Sequence, residues 1–229
     1  MSDHAQRIQV SFAASGNVRM RLPEQVDRPS LPCLVAIHGY AQPLDAFFEY
    51  ACTLAPEAVV LMPEGPMSFY RRRRGADGHR LIGHAWIAEL PREASDRRND
   101  AYIHAALDAA SAEAPIDPDR TVFLGFSQGV GVALHALLSQ PTRARGLVGL
   151  AGGLAQAYRE HLPRLAGKDV LWVTGQEDPA YTPDYAATLR DALEASGADV
   201  ESHDLPVGHE LMEPAAERVR AWLAPRLGA

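Results

Sequence analysis

The chain predicts an α/β fold, a mostly parallel central sheet with helices on both faces. Three observations lead there. Short apolar runs alternate with helical patterns along the chain. A Gly-x-Ser-x-Gly pentapeptide joins one such run to a helix. The chain has 229 residues, 47% of them hydrophobic, enough for one large core. A single domain over 1–229 is expected, with a long loop or lid-like insertion at about 65–97.

Strands are expected first at 8–12 and 18–22, as an antiparallel pair. Further strands follow at 34–37, 59–62, 122–126, 147–150, 170–173 and 200–203, each a short apolar or alternating run. Helices are expected near 44–54, 97–112, 129–138, 183–195 and 214–223, which gives the regular alternation of a parallel sheet wrapped on both faces. The stretch 65–97 shows no sustained period of either kind, and loops of that length in compact domains are functional or disordered in most cases. It holds Arg71-Arg72-Arg73-Arg74 and ends in His84-Ala85-Trp86-Ile87. Trp86 is read as an apolar surface for the substrate in a lid or pocket wall, against the plainer reading that it anchors the loop on the core. The arginine run reads as a solvated loop tip, with attraction of an anionic substrate as the sharper alternative.

Gly125-Phe126-Ser127-Gln128-Gly129 follows the apolar run Thr121-Val122-Phe123-Leu124 and opens the helical pattern from Val130 to Leu138. In that setting it reads as a nucleophile elbow, in which the glycines let strand and helix approach and the serine projects from the sheet in a strained conformation. A serine hydroxyl attacks only when an imidazole takes its proton, and a carboxylate must hold that imidazole in one tautomer. The expected chain order is Ser, Asp or Glu, then His. Asp178 falls just past the strand pattern Asp169-Val170-Leu171-Trp172-Val173-Thr174-Gly175. Glu177 and Asp184 compete with it, and the Asp178-Pro179 pair favours Asp178 by biasing it toward extended or turn backbone. His209 follows Gly208 in a loop after the last strand and is preferred to His203 as the base. Both choices lie outside the carboxyl ends of strands, where open parallel sheets bind ligands. The developing oxyanion needs fixed donors; the amide of Gln128 and that of Tyr40, after the strand Cys33-Leu34-Val35-Ala36-Ile37, are the candidates. His38 is read as a shaper of that early loop, and His104 and His135 as structural.

No metal-binding or disulfide framework is visible: Cys33 and Cys52 read as buried hydrophobes with free thiols. No cofactor is expected, because imidazole and main-chain dipoles suffice for acyl transfer. A net charge of −7 disfavours nucleic acid as a partner. No apolar run reaches the length of a membrane span and the first residues lack a signal-peptide core, so a cytoplasmic protein without stable membrane insertion is expected.

The His38-Gly39 turn, the Gly-Phe-Ser-Gln-Gly elbow, Asp178-Pro179 and Gly208-His209 together resemble the phospholipase/carboxylesterase group of α/β-hydrolases, which includes acyl-protein thioesterases and small bacterial carboxylesterases. The likeness spans nearly the whole chain. It implies the α/β-hydrolase fold, a triad of Ser127, Asp178 and His209, oxyanion donors at Tyr40 and Gln128, and hydrolysis of a small carboxylic ester or thioester. Two stretches depart from the group: Tyr40-Ala41-Gln42 stands where a second Gly followed by Asp is usual, and Trp86-Ile87-Ala88 where Trp-Phe-Asp is frequent. A lactone or peptide hydrolase, an acyltransferase or a perhydrolase would use the same triad. A binding protein on a hydrolase scaffold is the non-enzymatic alternative.

Overall fold

Every residue of Leu31–Ile37 is buried, a pattern that requires a central strand covered on both faces. In the computed structural model, which describes residues 14–24, 29–72, 80–87, 92–210 and 212–228, this strand (β2) lies inside a seven-stranded sheet. The other members are β1 (Val18–Arg21), β3 (Val59–Pro63), β6 (Ile116–Phe126), β7 (Gly146–Leu150), β8 (Asp169–Gly175) and β9 (Asp199–Leu205), in the order β1-β3-β2-β6-β7-β8-β9. β1 runs antiparallel to β3, and every other pairing is parallel. The expected first strand at 8–12 lies outside the described residues.

Alternation along β2 builds two cores. Leu31, Cys33, Val35 and Ile37 pack with Ile103 and Leu107 of α2 (Arg92–Glu113) and Leu134 and Leu137 of α3 (Gln128–Ser139). Leu34 and Ala36 face the other way, toward Phe47 and Ala51 of α1 (Leu44–Leu54) and Val219 and Trp222 of α5 (Met212–Leu227). Burial alone pushes the Cys33 thiol up to about 12, so it behaves as a small apolar side chain. No helix among the described residues is long and apolar enough to cross a membrane.

Two departures from the sequence expectations matter for the site. α2 begins at Arg92, five residues before the expected start, because its first inward-facing residues are the polar Asp96 and Asn99, which break the apolar period. The stretch 65–97 is not featureless. Met67–Arg72 (β4) and Arg80–Ala85 (β5) form an antiparallel hairpin, in register from Met67 opposite Ala85 to Arg72 opposite Arg80. The hairpin pairs with itself outside the main sheet; burial alternates along residues 67–71, but large apolar Tyr70 and Ile82 lie on the exposed side, so residue type does not reveal the pattern.

Candidate active site

Ser127 occupies the turn between β6 and α3 with φ 53 and ψ −120, a conformation that costs about 1–3 kcal/mol for a residue with a side chain. Its surroundings impose it. The Ser127 amide donates to the Leu150 carbonyl at 2.9 Å. A Cβ on Gly125 would lie 2.6 Å from Val130 Cα, and one on Gly129 would lie 2.1 Å from the Ile37 carbonyl oxygen. Any side chain at either position would force strand and helix apart.

The Ser127 Oγ lies 2.9 Å from His209 Nε2, and His209 Nδ1 lies 2.8 Å from Asp178 Oδ2. Asp178 comes from the loop after β8 and is buried; its Oδ1 also accepts the amides of Ala180 at 2.8 Å and Tyr181 at 3.0 Å. A carboxylate only accepts, so the imidazole proton sits on Nδ1 and Nε2 faces the serine as an acceptor. The ring is held between Phe126, at 5.3 Å between centroids, and Tyr181, nearly parallel at 5.8 Å. The competing residues stay apart. Glu177 and Asp184 are exposed, and His203 pairs with Glu201 at 2.8 Å along β9. His104 meets Ser139 and His135 meets Asp100, partners outside the relay.

The loop after β2 is clamped at nearly every polar atom. The Gly39 amide donates to Gln42 Oε1 at 2.7 Å, and the Ala41 amide to the His84 carbonyl at 2.9 Å. Arg71 donates to the Ala41 carbonyl at 2.5 Å, and the Tyr40 ring stacks on Phe69 at 5.1 Å. Arg71 therefore braces this loop from the hairpin and is not a solvated tip; Arg73 and Arg74 lie outside the described residues. Among the described residues no backbone acceptor engages the Tyr40 amide. Gln128 is the first residue of α3, so no carbonyl within that helix reaches its amide either.

The expectation that Trp86 offers a surface to substrate is overturned. Trp86 is 0% exposed and packs between His38, at 5.2 Å, and Tyr102, at 6.4 Å. Its indole donates to the His38 carbonyl at 2.9 Å, while its amide donates to Gln128 Oε1 at 2.9 Å. The large ring next to the elbow is consumed by the core and by the loop it fastens. Trp86→Ala is accordingly expected to cost about 3–5 kcal/mol, read as a lowered urea midpoint.

His38 is buried and neutral: desolvation pushes it down to about 4. Nε2 accepts the Gly65 amide at 2.8 Å, so Nδ1 carries the proton and donates to the Gly39 carbonyl at 2.7 Å. In the unfolded chain the same ring titrates near 6.5. Its contribution to stability is thus fully present above pH 6.5 and is lost as pH falls toward 4, where the unfolded chain takes up the proton first. About 3 kcal/mol is at stake over that window. The urea midpoint should fall between pH 6.5 and 5, before most carboxylates titrate, and His38→Gln should flatten that slope.

Next to Ser127 a cavity of about 450 Å³ opens, walled by Ile87, Leu154, Ala155, Ala180, Tyr181 and Tyr185, with Arg92, Gln128 and Gly131 along one side. Arg92, Tyr181 and Tyr185 were not among the residues singled out from the sequence. Arg92 hides in a helix start that the apolar period does not reveal, and the tyrosines sit in a polar loop and the first turns of α4 (Pro183–Glu194). Burial, then the neighbouring Tyr185, raises the Tyr181 phenol; a hydrogen bond with Ser127 opposes them.

The profile of the phospholipase/carboxylesterase family matches residues 85–225. The chain belongs to that family. The hydrolase-like protein MhqD of Bacillus subtilis (strain 168) is 27% identical over 116 residues, which is 51% of this chain and 58% of MhqD, so the match spans little more than half of that relative. Two carboxylesterase crystal structures share the fold. The one from Mesorhizobium loti superposes with a TM-score of 0.71 at 24% identity over 91% of this chain and 94% of its own. The one from Bacillus cereus gives 0.71 at 21% identity over 93% and 95%. The family has the α/β-hydrolase fold, and the seven-stranded sheet with helices on both faces is that fold.

Proposed function

We propose that the protein is a serine hydrolase that cleaves carboxylic esters or thioesters through an acyl-enzyme on Ser127. The observation that carries this reading is the unbroken relay from Ser127 Oγ through His209 to Asp178, with both links under 3 Å. His209 Nε2 takes the Ser127 proton as the hydroxyl attacks the carbonyl carbon. The negative charge on the carbonyl oxygen settles between the amides of Gln128 and Tyr40, neither of which has a backbone acceptor among the described residues, and fixed donors of this kind are worth about 3–4 kcal/mol each of barrier. His209 then gives its proton to the leaving alcohol or thiol, and water repeats the sequence on the acyl-enzyme. Asp178, which accepts from two amides and one imidazole, holds the ring in the tautomer that the first step needs. Gln128 has a second part in the design. Its side chain joins the Trp86 amide and the Ile87 carbonyl, the latter at 3.2 Å, and so fastens the segment beside the elbow.

The reading is tested with p-nitrophenyl esters and thioesters of graded acyl length, using the Ser127→Ala protein as the blank. Turnover of both leaving-group classes that vanishes in the blank supports it. Equal rates with the blank would remove it.

A further inference from the structure

The cavity beside Ser127 contains one charged side chain among its described lining residues, Arg92, and that charge has no role in the relay described above. One carboxylate, Asp96, offsets it from one side only. Arg92 stands in the first turn of α2, where the helix dipole repels a cation, and its Nε is buried without a hydrogen-bond partner. Asp96 pairs with Arg92 through that Nε at 3.4 Å, and its Oδ2 also accepts the Tyr158 hydroxyl at 2.5 Å. The far end of the guanidinium lies along the cavity side of α3: Nη2 is 3.8 Å from where a Cβ on Gly131 would sit. No ion pair of its terminal nitrogens is found among the described residues, so the planar fork presents its donors to the cavity.

The cavity also has a direction. It is lined by Ser127 and Gln128 but not by His209. The leaving group must sit against His209 Nε2 to collect its proton, so the space beyond Gln128 belongs to the acyl group. Gly131 follows Ser127 by about one helical turn, ~5.4 Å along the axis. Ile87, Leu154, Ala155 and the tyrosine rings supply an apolar wall for a few methylenes over that span.

We propose that the preferred acyl group ends in a carboxylate, which Arg92 receives as a bidentate partner, so that the substrate is a monoester or monothioester of a short dicarboxylic acid. This rests on the esterase reading and narrows it to a substrate class. It also moves the attraction for anions expected of the arginine run at 71–74 to a single arginine beside the nucleophile.

Monoethyl adipate and ethyl hexanoate have acyl chains of equal length and differ at the far end, carboxylate against methyl. With ethanol release as the signal at low ionic strength, the wild-type protein should favour monoethyl adipate by about tenfold or more in kcat/KM, as expected for a charge-assisted fork. The ratio should collapse toward unity in Arg92→Gln and be partly kept in Arg92→Lys. A wild-type ratio at or below one overturns the proposal without recourse to any variant, as does a high ratio that Arg92→Gln leaves in place. Reaction of Ser127 with a fluorophosphonate separates the two levels: hydrolysis and labelling with no anion preference sink only the substrate class, whereas no labelling and no hydrolysis sink the esterase reading with it.

Discussion

Ser127→Ala should lower kcat/KM for any accepted ester by ~10⁴–10⁶-fold while leaving the thermal midpoint within a few degrees of wild type. The size follows from what the substitution removes. The hydroxyl is the attacking atom, and without it the two free amides and His209 can at most favour direct attack by water. The fold is expected to persist because the strain at this position resides in the backbone, at φ 53, and alanine carries it as serine does. The contacts that impose the strain, the Leu150 carbonyl and the close approaches at Gly125 and Gly129, do not involve the hydroxyl. Loss of turnover together with loss of the folded state would point to a structural serine and against this role.

The second large effect is expected from Asp178→Asn. The carboxamide oxygen can keep the amides of Ala180 and Tyr181, so folding should survive. The remaining amide group would then present N–H donors to His209 Nδ1, where a carboxylate oxygen now accepts at 2.8 Å. The ring answers by carrying its proton on Nε2 and turning a donor toward Ser127. Turnover near neutral pH should fall by ~10⁴-fold, with most of the loss in kcat, since substrate contacts in the cavity are unchanged. Steady-state kinetics decide it. A loss confined to KM would mean that Asp178 shapes the cavity and does not orient the base.

The parts of this arrangement legible in the sequence are those where backbone geometry dictates residue type. The elbow requires Gly125 and Gly129 because a carbonyl and a helix backbone crowd them, and that demand is written in the sequence as a motif. The central strands read as apolar runs because both faces are covered. What stayed hidden owes its position to tertiary contacts. The β4–β5 hairpin puts Tyr70 and Ile82 on its solvent side, so apolar residue type does not mark its inner face, yet it holds the Tyr40 loop through Arg71, Phe69 and His84. Trp86 looks like a pocket residue by its neighbourhood, and only the packing against His38 and Tyr102 shows it committed to the core. Arg92 was illegible because the inward residues that follow it, Asp96 and Asn99, are polar and conceal where the helix begins.

Peptide mapping after reaction with a fluorophosphonate puts the role of Ser127 to the sharpest trial. One adduct per chain on the peptide that contains Ser127, absent from Ser127→Ala and strongly slowed in His209→Ala, is the expected result. Stoichiometric labelling of Ser127→Ala, or an adduct on another residue in the wild-type protein, would contradict it.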